Sequence, residues 1–389
     1  MEKRLEFLPY SQPSYDACEE QAAVEAIRSG WWSRGPKTAE FEQKFAEYIG
    51  VKYALAVNSC TAAMHLSLMV NGIGEGDEVI VPAMTFCATA NTVVHVGATP
   101  VLCDIIPETG LIDPDDIEHR ITARTKAIMP VHYAGRACDM ERITAIAQKH
   151  GLVIIEDAAH AVGTRYNGKM IGAAGNETAF SFYATKNLAT GEGGMFTTND
   201  AEKYEKARVL SLHGMSRNAW NRYSKGGSWH YDVLYAGYKY NMTDLAASIG
   251  LVQLEKQPQF DALRARYAAM YTEQLADLTS VKLLQEAPGS QTSWHLFILW
   301  VDEEKLDITR DEFIDILTNE YNIGLSVHFI PLPLHPFYQE TYGAKKADYP
   351  NAAKLFKGLV SLPLYPAMKE EDVTYVAQAV REVACAHAK

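Results

Sequence analysis

The chain predicts an α/β fold, with a mostly parallel central sheet, covering helices and a smaller C-terminal α+β domain. Three observations carry this expectation. Between 53 and 157, short apolar runs alternate with helical stretches, the pattern of strands joined by crossover helices. The run VIIED at 153–157 is β-branched and continuous, as in a strand buried on both faces. After 275 the pattern changes to separate strands and helices. A large body with an N-terminal arm over 1–256 and a small body over 257–389 follow from this.

Length and composition agree. At 389 residues, 48% hydrophobic and 22% charged, the chain can bury a large core. A formal charge of −12 with no basic face argues against broad nucleic-acid binding. It leaves room for an anionic small ligand, because a local site can be positive on an acidic protein. The six cysteines show neither a CxxC pair nor a zinc spacing, so no metal site is expected. They read as reduced thiols in apolar surroundings, which suits the cytoplasm. No run approaches the ~20 apolar residues of a membrane span, and the N-terminus lacks the apolar stretch of a signal peptide.

Taken in order, 19–29 reads as a helix stopped by Gly30. Trp31 and Trp32, beside Ser33 and Arg34, suit either a packed arm or an aromatic substrate edge with a phosphate contact. Thr38 has the look of an N-cap for a helix that buries Phe41, Phe45 and Tyr48 and ends at Gly50. Residues 53–72 read strand, turn, helix, and Asn58-Ser59-Cys60-Thr61 opens the helix where free N–H groups suit a phosphate. A simple capped helix would have the same sequence. A Cys60 nucleophile is the weaker alternative, since His65 points away from the turn. GIGEGD at 72–77 precedes a strand and so reads as a turn, not a dinucleotide loop. Phe86 lies just past the strand 78–82, and Asp113-Pro114 opens a helix. Residues 213–236 are polar and aromatic without apolar repeats, as in a lid or interface loop. Asn241 and Thr243 are candidate caps for the helix from Asp244, and a connecting helix is expected over 257–275. SWHLFILWVD and GLSVHFI read as strands, with helices at TRDEFIDILTNEY and near the C-terminus.

The functional stretch is 153–198. Asp157 ends one strand, Ser181 lies in the next and Lys186 stands just beyond it, before the turn GEGG. In a parallel sheet, ligands bind at the carboxyl ends of strands. One acid, one hydroxyl and one amine on that rim suit pyridoxal phosphate: an amine for its aldehyde, a carboxylate for its ring nitrogen and a hydroxyl for its phosphate.

EDAAHAVG, FSFYATKN and GEGG resemble the DegT/DnrJ/EryC1/StrS sugar aminotransferases, and the resemblance covers essentially the whole chain. It implies a fold-type-I pyridoxal phosphate enzyme and a homodimer with shared sites. The implied reaction moves an amino group from L-glutamate to a nucleotide-linked keto sugar. It implies that Phe86 stacks on the cofactor ring and that Asn241 reaches the neighbour's cofactor phosphate. His160 would meet the phenolic oxygen, and the regions of Trp32, Arg34 and His328 would border the sugar. PVHYAG at 130–135, EDAAHAVGT at 156–164 and GYKYN at 237–241 resemble the branch that makes UDP-4-amino-4-deoxy-L-arabinose for lipid A, while 327–338 departs from it. A UDP-linked 4-keto sugar, destined for lipid A or a cell-surface polysaccharide, is therefore expected. Relatives with 3-dehydratase chemistry replace the lysine, so Lys186 argues against them. A non-catalytic regulator of the same fold would lack the full Asp157, Ser181 and Lys186 set.

Overall fold

The computed structural model describes residues 2–216 and 230–389, so 217–229 of the expected lid or interface loop lie outside the described residues. Along the chain, strands β1 (Tyr53–Val57), β2 (Glu78–Pro82), β3 (Thr99–Cys103), β4 (Thr125–Ile128) and β5 (Val153–Ala158) alternate with helices. The short strands β6 (Arg165–Tyr166) and β7 (Lys169–Met170) precede β8 (Glu177–Ser181) and β9 (Gly194–Thr198). Towards the C-terminus lie β10 (Val281–Leu283), β11 (Ser290–Gln291), β12 (Phe297–Val301) and β13 (Leu359–Leu362).

The central sheet has seven strands in the order β1-β9-β8-β5-β4-β2-β3. The pairs from β8 to β3 are parallel, whereas β9 runs antiparallel to both β8 and β1. The reversal has a local cause. The link 182–193 contains no helix, and a parallel return needs a crossover. That turn carries Lys186 past the end of β8. β5 sits in mid-sheet and its Ile154 and Ile155 are buried, as its unbroken apolar run requires.

The helix Ala17–Ser29 ends on left-handed Gly30, as expected. The helix Pro36–Ile49 departs from expectation at its start, because its N-cap is Gly35 and Thr38 lies inside it. The capping oxygens come from a distant residue. Asp244 accepts the N–H of Gly35 at 2.6 Å, of Thr38 at 2.9 Å and of Lys37 at 3.0 Å, together with the Thr38 hydroxyl at 2.6 Å. A buried carboxylate at a helix N-terminus is favoured by both the open amides and the dipole. Thr243 does cap its helix, accepting from the Ala246 N–H at 3.2 Å. That helix runs unbroken from Asp244 to Leu275 with Pro258 inside it, so residues 256 and 257 share one helix.

A second apolar cluster fills the C-terminal region. β12, flanked by β10 and β13, packs Phe297 and Leu299 with Phe313 of Arg310–Tyr321 and Val376 of Glu370–Ala386. Tyr271 of the long helix joins it. The expected strand GLSVHFI does not form. Its backbone is used elsewhere: Gly324 N–H donates to the Leu8 carbonyl, Leu8 N–H donates to the Asn322 carbonyl, and Ser326 alone bridges to Ser361 of β13. Past that point the His328 carbonyl accepts the Tyr133 hydroxyl, which turns the segment towards the central sheet. The strand expected over SWHLFILWVD starts only at Phe297. All six cysteines are free; Cys18 and Cys385 are exposed, contrary to the expectation of apolar surroundings. No helix of the described residues is long and apolar enough to cross a membrane.

Candidate active site

A cavity of about 430 Å³ opens at the carboxyl ends of β5 and β8. It gathers Cys60, Thr61, Phe86, Asp157, His160, Ser181, Lys186 and His328, eight of the residues singled out in the sequence.

Asp157 lies near the end of β5, in the sheet interior, 4% exposed. The Thr89 hydroxyl donates to its Oδ2 at 2.8 Å and the Ala159 N–H to its Oδ1 at 3.1 Å. Burial pushes its carboxyl above the usual range, and these two bonds and Lys186 oppose that. The Lys186 amine is brought down to about 8 by burial, with Cys60 and Asp157 acting the other way. It is therefore a base of useful strength near neutrality. The Cys60 thiol is pushed up by burial and lies 3.4 Å from the Ala179 carbonyl, which removes the nucleophile alternative.

Ser59 Oγ caps the helix Cys60–Val70 by accepting from Ala62 N–H at 3.1 Å. That leaves the amides of Cys60 and Thr61 at the open first turn. β9 starts directly against this turn. A Cβ on Gly194 would stand 2.4 Å from the Ser59 carbonyl carbon and 2.6 Å from the Cys60 nitrogen. Only glycine allows so close an approach of strand to helix terminus.

His160 Nδ1 accepts the Ala134 N–H at 3.2 Å, and its ring stacks on Phe329 at 5.8 Å and 25°. Phe86 is 58% exposed and its ring meets Phe329 at 5.8 Å. Ser181 Oγ accepts the Tyr183 N–H at 3.4 Å. His328 is held 2.8 Å from Ser361 Oγ, and burial followed by the nearby Lys186 lowers it to about 4.

Three expected residues lie elsewhere. Asn241 lines an adjoining groove that shares Glu192 with the cavity. Its amide donates to the Met242 carbonyl at 3.1 Å, and its buried Oδ1 has no partner among the described residues. Trp32 is 64% exposed, with its indole N–H donating to Ile27 O at 3.0 Å. Arg34 makes a two-pronged pair with Glu42 at 2.7 and 2.8 Å. Lining residues not singled out in the sequence include Tyr10, Thr89, His295 and Phe329. Thr89 follows Phe86 by about one helical turn, which was a usable signal. His295 stands just before an apolar run and carried none.

The sequence model of the DegT/DnrJ/EryC1/StrS aminotransferase family matches residues 13–381. The chain belongs to this family. It is 52% identical to the spore coat polysaccharide biosynthesis protein SpsC of Bacillus subtilis, over 98% of each chain. Among solved structures it is similar to Spr1654 of Streptococcus pneumoniae, a candidate sugar aminotransferase in its PLP form, with TM-score 0.91, 36% identity and coverage of 98% and 99% of the two chains. It is also similar to Helicobacter pylori PseC, an aminotransferase of pseudoaminic acid biosynthesis, with TM-score 0.90, 29% identity and coverage of 98% and 100%. The fold is thus that of pyridoxal phosphate aminotransferases, and pyridoxal phosphate is the family's cofactor. The residues present fit that group. A half-buried lysine, a buried carboxylate and a glycine-permitted helix terminus converge on one cavity.

Proposed function

We propose that this family member transfers an amino group from L-glutamate to a UDP-linked 4-keto sugar, in two half-reactions that use one site in turn. The observation that carries the reading is the meeting of Lys186, Asp157 and the Cys60–Val70 helix terminus in one cavity. Bound pyridoxal phosphate supplies an aldehyde for an amine to join and a ring that takes up an electron pair.

The chain's residues supply the rest. Lys186 is the covalent anchor and the base: its Nζ takes and returns the migrating proton. Asp157, held by Thr89 and Ala159, presents a carboxylate to the ring nitrogen and keeps that nitrogen protonated. The amides of Cys60 and Thr61, with Ser181, receive the phosphate. Phe86 would stack on the ring, and His160, its Nδ1 occupied by the Ala134 N–H, would turn its other nitrogen to the phenolic oxygen. His328, together with Trp32 and Arg34, belongs to the sugar side of the reading. Asn241, whose Oδ1 has no partner among the described residues, serves the site of a second copy in a homodimer. The division into a cofactor-binding body to residue 256 and a small body beyond it belongs to the same reading, as does a cytoplasmic location. A role in cell-surface sugar synthesis is supported by the similarity to the spore coat polysaccharide protein and to the pseudoaminic acid enzyme.

The test is the visible absorption of the purified protein with pyridoxal phosphate, before and after L-glutamate. A band bleached by L-glutamate and restored by a UDP-linked 4-keto hexose is expected. A band indifferent to L-glutamate would overturn the proposed donor.

A further inference from the structure

Two imidazoles lie against each other in the cavity wall, and their hydrogen bonds fix which nitrogen of each carries the proton. His160 and His295 are 4.3 Å apart between ring centroids, tilted by 38°. His160 Nδ1 accepts a backbone N–H from Ala134 at 3.2 Å. An acceptor has no hydrogen, so the ring proton of His160 is on Nε2. His295 is set the other way by Asn187. The Asn187 amide nitrogen donates to the Ser293 carbonyl at 3.0 Å and to the Val162 carbonyl at 3.4 Å. That leaves Asn187 Oδ1 as the atom facing His295 Nδ1, at 3.1 Å. Nδ1 of His295 must then donate, and its Nε2 keeps a lone pair. Burial holds both rings well below the usual histidine range, with Lys186 adding to the effect in each and His160 also acting on His295. Neither ring therefore becomes a cation near neutral pH.

Both rings line the cavity. Among the described residues no hydrogen bond reaches Nε2 of either one, and neither atom is sealed from the cavity. The wall thus offers one ring donor and one ring acceptor side by side. An acceptor lone pair repels the carboxylates of an amino-acid donor. It suits a hydroxyl, which brings its own hydrogen.

We propose that Asn187 is a positioning residue which keeps His295 in the Nδ1–H form, and that His295 Nε2 accepts a hydroxyl of the sugar, making it a residue that distinguishes the sugar from the amino-acid donor. This rests on the aminotransferase reading above and assigns part of the same site to one of its two substrates. The neighbouring residue Lys186 and this pair are then joined in sequence as well as in space. Lys186 serves both half-reactions, and Asn187 sets the acceptor used in only one.

Two measurements test this. Imidazole nitrogen shifts of the chain without cofactor, assigned through His295→Gln, should show His295 protonated at Nδ1 and bare at Nε2 around neutral pH. The opposite tautomer, or an imidazolium, would overturn the proposal without touching the transaminase reading. Next, the two half-reactions are timed separately in His295→Phe, which keeps a ring for stacking, and in His295→Gln, which keeps an acceptor. The probes are L-glutamate and a UDP-linked 4-keto hexose. In His295→Phe the sugar half-reaction should lose about tenfold more than the glutamate half-reaction, the scale of one lost hydrogen bond with its partner left unpaired. His295→Gln should recover part of the difference. Equal losses in both half-reactions, or none, would sink the assignment. Failure of L-glutamate to react with the unmutated enzyme would instead count against the function proposed above.

Discussion

The two walls of the cavity are built by different means. The inner wall, Asp157 through Gly194, is made of strand ends and the turns between them. Its side chains are placed by sheet register: β5 pairs with β8 and β8 with β9. The outer wall consists of Tyr10, His295, His328 and Phe329, which come from segments outside the central sheet. Those segments are held outside any extended strand pairing, by side-chain bonds such as Tyr133 to the His328 carbonyl and Asn187 to His295, and by scattered backbone bonds such as Ser293 N–H to the Gly135 carbonyl. A sheet edge is a rigid place to hold groups that must meet one cofactor. An irregular wall can change between relatives without disturbing the sheet. On the proposed reading, the inner wall carries the chemistry and the outer wall the choice of sugar.

Substitutions should divide along that line. Lys186→Ala should reduce turnover by on the order of 10³-fold or more, since base and covalent anchor go together; substantial steady-state transamination in this variant would break the comparison at its strongest point. Asp157→Asn should come next, at roughly 10²–10³-fold in kcat, on the scale of losing one preorganised charge at a reacting centre. Thr89→Val removes the hydroxyl bonded to Asp157 Oδ2 and should cost about tenfold in kcat, with the fold intact by circular dichroism. His328→Phe should be the mildest, raising KM for the sugar a few-fold while kcat with L-glutamate hardly moves. If His328→Phe cost more than Asp157→Asn, the outer wall would have to be given a chemical part.

A pH titration sharpens the inner wall further. The Lys186 amine sits at about 8 instead of its usual 10.5. Below pH 8 it is protonated and unreactive; above it is free. Reaction of the cofactor-free protein with an amine-directed reagent should rise at Lys186 with a midpoint near pH 8, while exposed lysines respond about two units higher. A midpoint shared with those lysines would mean that burial does not reach the amine.

The legibility of the sequence follows the same divide. VIIED, FSFY and GEGG announced the inner wall because periodicity reports a strand and its end, and strand ends are where Asp157, Ser181 and Lys186 stand. The outer wall was read poorly. GLSVHFI has a strand's composition, yet its backbone is committed to Leu8 and Tyr133, and neither pairing leaves a trace in local sequence. The Thr38 cap failed for a related reason. The carboxylate that closes that helix is Asp244, 206 residues away, and local pattern favoured the nearest hydroxyl. Thr89 was within reach, three residues past Phe86 in the first turn of the helix Ala88–His95. His295 was not, because its meaning depends on Asn187.

The close approach at Gly194 has a consequence for how the protein comes into being. The proposed phosphate cradle has two halves, the helix terminus at Ser59 and Cys60 and the strand that Gly194 begins. Ribosomes deliver them far apart in time. At about 5–20 residues per second, the second half emerges on the order of ten seconds after the first, and β9 must then insert between β1 and β8. A nascent chain has no finished cradle until that insertion. On the proposed reading, cofactor capture therefore has to wait until at least the first half of the chain has been made.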